Sequence, residues 1–170
     1  QSVLTLQSVV ILAPYTVTLG VVAGPFTATV DVTVYDKDGN ILAEFDHDFS
    51  DGKVSFDILN GYQGPLLVKV SDANGDEGDY VDETSGELVS LGSDLRAMSV
   101  ADGSTNIELS ITPLTELAVR TAGVDEIQLA AAPLTLDTVA VNEQVGELFG
   151  VEDITGPVTT VLDTEYESSD

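Results

Sequence analysis

The run ATVDVTVYD, residues 28–36, constrains this chain most. Val30, Val32 and Val34 alternate with Asp31, Thr33 and Tyr35, which is the period of a strand with one buried and one wetted face. The pattern recurs. KVSFDI sets Val54, Phe56 and Ile58 on one side, PLLVKV sets Leu66, Val68 and Val70, and NIELSI sets Ile107, Leu109 and Ile111. LRAMSVA, residues 95–101, is a weaker strand of the same kind. DKDGN and FSDGK fall between strands and predict hairpin turns, with Gly39 and Gly52 supplying the positive φ. Short alternating strands at close spacing predict a mainly β fold, an Ig-like or transthyretin-like β-sandwich.

The texture changes after Ile111. ITPLTELAVRTAG has Thr112 to cap a helix, Pro113 at its first position and Gly123 to end it. Leu114, Leu117 and Ala118 share one face. DTVAVNEQVGELFG repeats Val141, Val145, Leu148 and Phe149 at helical spacing, with Gly150 as terminator. The apolar linker AAAPLTL between them reads as buried. The whole is expected to be a single module over 1–170: a sandwich core over 1–111, a short helical segment over 112–150, and a returning strand and tail over 151–170. The N-terminal run SVLTLQSVVILAP reads as a buried strand, too short to span a bilayer, and the opening at Gln1 reads as an internal piece of a longer chain.

Charge narrows the function. Thirty Asp and Glu stand against five Lys and Arg, a net charge of -25. Phosphates repel such a surface, so nucleic acid and insertion into anionic membranes are excluded as partners. Apolar residues make up 43%, which suffices for a core. With no cysteine, stability must come from that core or from bound metal.

The segment SDANGDEGDYVDETSGE, residues 71–87, concentrates the acidity. Asp72, Asn74 and Asp76 hold the first, third and fifth positions of an oxygen-ligand loop, and Glu83 holds the twelfth. Glu77 replaces the glycine of an EF-hand, and a strand precedes the loop. The reading is a non-helical calcium loop drawing on Asp72, Asn74, Asp76, Asp79 and Glu83, with Ca2+ as cofactor; an acidic solvated turn is the competing reading. Asp36, Asp38 and Asn40 show the same spacing, but a plain hairpin turn accounts for them. Asp46, Asp48 and Asp51 surround His47, and Asp46 and Asp48 are spaced to share an ion. His47 itself reads as a polar residue at a strand end. Phosphate-loop, zinc-protease and nucleophile-elbow motifs are missing, so a non-enzyme is expected. Lys53 and Lys69 raise intramolecular isopeptide bonds, but Lys69, opposite Val68 and Val70, reads as solvent-facing.

The order GPLLVKV, GDYVDETSG, TPLTELA and LFGVEDITG resembles modules of very large calcium-dependent bacterial adhesins, the RTX type exported by type I secretion, over roughly residues 26 to 160. The resemblance implies an extracellular module on the bacterial cell surface, a calcium-stabilised scaffold or spacer in the ligand-binding region, of split-domain type. It would act in cell adhesion and biofilm formation, as a monomer whose partners are neighbouring modules of the same adhesin. The alternative is a module that recognises a sugar or peptide through bound calcium, with Tyr62 or Tyr80 exposed beside the acidic cluster.

Overall fold

A computed structural model describes residues 14–21, 29–49, 52–72, 80–81, 88–89 and 94–156. The alternating segments become strands: β1 Tyr15–Val21, β2 Thr29–Tyr35, β3 Ile41–Asp48, β4 Val54–Ile58, β5 Gly64–Asp72, β8 Leu95–Ala101 and β9 Ile107–Ile111. A two-residue hairpin, β6 Tyr80–Val81 with β7 Leu88–Val89, stands apart as its own sheet. One sheet has the order β4-β1-β9 and the other β3-β2-β5-β8. All pairs are antiparallel except β1 with β9, which run parallel. This is a β-sandwich. Its second and third strands share a sheet, whereas an immunoglobulin constant-type sandwich divides them.

The inner faces make the first core. Val30, Val32 and Val34 of β2 and Leu66, Val68 and Val70 of β5 meet Val17 and Leu19 of β1 and Leu109 and Ile111 of β9. These are the alternating residues of the sequence, because period 2 sends them to one side of the pleat.

Two expectations about turns part company. DKDGN is a hairpin turn between β2 and β3. Asp36 accepts the amides of Asp38 and Asn40 on Oδ1, and Asn40 Nδ2 on Oδ2. FSDGK joins no hairpin, since β3 and β4, the strands on either side of it, belong to different sheets.

After β9 the chain turns helical. Helix α1, Pro113–Thr121, begins with Thr112 and Thr115 capping each other reciprocally. The same threonine pair recurs at Thr135 and Thr138 to start α2, Leu136–Val139. Helix α3, Val141–Phe149, follows directly and stops at Gly150, whose φ of 67° is left-handed. The second predicted helix is thus two, broken at Ala140. Between α1 and α2 lies one 3-10 turn, Glu126–Gln128.

These helices cover the outer face of the four-stranded sheet and form a second core. Leu67 of β5 and Met98 of β8 pack with Ala118, Val119, Leu129, Leu134, Val145 and Ile154. The faces differ from those expected. Ala118 and Val145 are buried, but Leu117, Leu148 and Phe149 are exposed. In AAAPLTL only Leu134 is buried; the alanines and Leu136 are exposed. Helical spacing identifies residues that share a face but not the rotation about the axis, which packing decides. Beyond α3 the chain returns to β9, where Ser110 N–H donates to the Thr155 carbonyl at 2.9 Å. Residues 157–170, which hold the expected returning strand and tail, and residues 1–13 lie outside the described residues.

Candidate functional site

Two polar regions concern function: the acidic loop and the junction between sheet and helices. Asp72 is the last residue of β5 and stands opposite Val30 of β2. The proposed calcium loop therefore leaves from the tip of a central strand. Asn74, Asp76, Asp79 and Glu83 lie outside the described residues. The donor set consists of hard oxygens throughout, which matches calcium's preference. Among the described residues no group of three or more His, Cys, Asp or Glu side chains is placed to hold a metal ion.

The secondary acidic groups are structural or exposed. Asp36 is consumed by its own turn. Asp46 is exposed and stands opposite Asp31, while Asp48 stands opposite Thr29; Asp51 lies outside the described residues. His47 Nε2 donates to the Gly52 carbonyl at 3.0 Å, and its ring meets Phe49 edge-on at 4.7 Å. Those contacts tie the chain after β3.

Tyr62 is no open stacking platform. Its hydroxyl donates to the Pro65 carbonyl and accepts the Lys37 amide, and its own carbonyl accepts the Tyr15 hydroxyl at 2.9 Å. Burial raises the pKa of both tyrosines.

The junction is the most organised polar region described. Arg96 rises from the outer face of β8. Its Nη2 lies 2.8 Å and its Nε 3.0 Å from the two carboxylate oxygens of Glu116 on α1. Its Nη1 reaches Glu126 at 2.9 Å and the Val124 carbonyl at 3.1 Å. Lys69, directly opposite on β5, pairs with Glu126 at 3.1 Å and with Asp94 at 3.4 Å. Arg120 adds a second cation to Glu116, the third of the cluster, at 3.1 Å. Three of the chain's five Lys and Arg thus serve one clamp between sheet and helices.

Lys69 does lie opposite Val68 and Val70, but it does not face open solvent. The helical segment covers that face, and the side chain keeps 21% exposure. The charges respond accordingly. The bond to Glu116 is the chief cause raising the Arg96 pKa. Burial pulls Lys69 down, but the hydrogen bond to Glu126 and the charges of Asp94 and Glu126 outweigh it, so its pKa is raised. Burial pushes Glu126 up, and its hydrogen bonds with Lys69 and Arg96, among others, bring it below the ordinary glutamate value. Lys53 instead pairs with Glu108 at 2.7 Å on the open face of the other sheet.

Sequence reading missed this clamp. Arg96, Glu116 and Glu126 are far apart in the chain, and only the weak strand LRAMSVA and the acid in the first turn of α1 hinted at it. The chain matches no protein-family model and no curated protein.

Proposed function

We propose that this chain is a non-enzymatic extracellular module of a large bacterial surface adhesin, a calcium-stabilised scaffold that supports the ligand-binding region. The observation that carries the reading is the clamp. Three of the chain's five cations are committed to fastening its layers together, as a rigid support requires. With thirty Asp and Glu against five Lys and Arg, the acidic run 72–83 calls for counter-charge from outside the chain, and an extracellular divalent ion is the natural one. The engagement of Tyr62 in a turn favours the scaffold over the sugar- or peptide-binding alternative.

The test is a thermal melt in millimolar calcium and again in excess chelator, at matched ionic strength. Calcium bound at a hundredfold excess over its Kd adds about 2.7 kcal/mol to the native state. A clear rise in the midpoint is expected, and an unchanged midpoint overturns the calcium-dependent scaffold.

A further inference from the structure

Among the described residues the sandwich has four edge strands, β4 and β9 in one sheet and β3 and β8 in the other. Exposed edges invite pairing with another chain, and proteins blunt them with charge, brevity or cover. β3 carries Glu44, Asp46 and Asp48. β4 has five residues and carries Asp57. β9 carries Glu108, and Thr155 takes up its Ser110 amide. β8 is different. Its seven residues, LRAMSVA, hold one charge, Arg96, which the clamp neutralises.

Two outward backbone groups of β8 are taken by side chains. Arg96 N–H donates to Glu116 Oε2 at 3.1 Å. Two residues on, the Met98 carbonyl accepts Asn142 Nδ2 at 2.9 Å. An amide and a carbonyl on alternate residues are the groups a further strand would use. Glu116 comes from α1 and Asn142 from α3, so two helices converge on one edge. The other amide atom, Asn142 Oδ1, is buried and has no partner among the described residues. Its orientation serves the Met98 carbonyl.

We propose that the helical segment is an edge guard: Glu116 and Asn142 hold the strand-pairing positions of β8 and keep a second copy of this chain from joining there. The high net charge also holds copies apart, so the guard is tested where that charge is screened. The experiment is sedimentation equilibrium of the wild type, Glu116→Ala/Asn142→Ala, and the same pair with Val100→Lys, in about 0.5 M NaCl, where the screening length is about 4 Å. The wild type is expected to stay monomeric. The double variant is expected to double its mass with concentration, with slowed amide exchange at Met98 and Val100. Val100→Lys puts a charge on the edge and is expected to restore the monomer. A folded double variant that stays monomeric overturns the proposal, as does association that Val100→Lys leaves intact. Should the double variant lose its far-ultraviolet β signature, Asn142→Ala alone, which spares the clamp, is judged by the same outcomes.

Discussion

Lys69 and Arg96 stand opposite each other across β5 and β8, two cations in register, and Glu126 bonds to both. Like charges placed so destabilise a sheet. Here they become an asset, because Glu116, Glu126 and Asp94 arrive from outside the pair to neutralise them. Asp94 precedes β8 itself, but both glutamates arrive only when the helical segment is docked, which couples docking to sheet formation.

Arg96→Ala leaves Glu116, itself nearly buried, with Arg120 alone. Breaking a pair of this burial costs about 3 kcal/mol. Lys53→Ala removes an exposed pair and should cost under about 1 kcal/mol. Urea denaturation of both variants checks the contrast. Equal losses would mean that the clamp contributes no more than a surface contact.

The clamp predicts a plateau in stability against pH. Glu126 has a lowered pKa, so its contribution is complete above the unfolded value of about 4.3 and is lost as pH falls through the folded value. Lys69 has a raised pKa, so its contribution is complete below about 10.4 and is lost as pH rises through the folded value. Asp102 adds an acid-side step. The side chain and backbone of Thr105, then the Ser104 amide, hold its pKa down to about 2. Its contribution is present above about 3.9 and is lost as pH falls through that lower value. Melting midpoints from acid to alkaline pH should fall at both ends, and Glu126→Gln should reduce the acid-side fall.

Gly146→Ala should destabilise, against helix propensity. Alanine ordinarily gains about 1 kcal/mol over glycine within a helix. A Cβ at Gly146 would meet the Val151 carbonyl oxygen at 2.5 Å, and that backbone turns there to seat Ile154. A loss of about 1–3 kcal/mol is expected by denaturation. A gain would mean that the turn after α3 shifts freely. Gly39→Ala should also cost about 1–2 kcal/mol, since φ is 89° and the new methyl would approach Leu129 Cβ to 3.1 Å.

Tyr62→Phe should cost about 1–2 kcal/mol, because its hydroxyl joins Pro65 to the Lys37 turn. Binding on glycan and peptide arrays should not change. A variant with wild-type stability and altered ligand binding would return Tyr62 to a recognition role.

Asp76→Asn with Asp79→Asn removes two charges from the proposed calcium loop. The calcium-dependent rise in melting midpoint should shrink, while the midpoint in chelator should hold or rise as repulsion eases. An unchanged calcium response would place the ion elsewhere.

The sandwich was legible because Val30, Val32, Val34 and their counterparts alternate without interruption. β1 was harder to read: YTVTLGV follows directly on another apolar run, and Gly20 interrupts its pattern. β3, ILAEFDHD, hides because an edge strand carries charge on a half-buried frame. Helix α1 was marked by Thr112, Pro113 and Gly123, all local signals. What periodicity left open was which face of each helix turns inward, so Leu148 and Phe149 were assigned with Val145 yet point to solvent. The clamp was illegible for a related reason. A charge declares its need for a partner but not the distant residue that supplies it.

The parallel pairing of β1 and β9 has a mechanical consequence. These strands lie side by side in the middle and at the edge of one sheet, Val17 opposite Ile107 through Val21 opposite Ile111. Tension that enters before Tyr15 and leaves beyond Ile111 pulls the two strands lengthwise past each other. All the rungs of that ladder then bear load together, as in a glued lap joint, whereas an antiparallel hairpin pulled at its ends peels one rung at a time. A chain loaded in this way would resist shear while its interior stays closed.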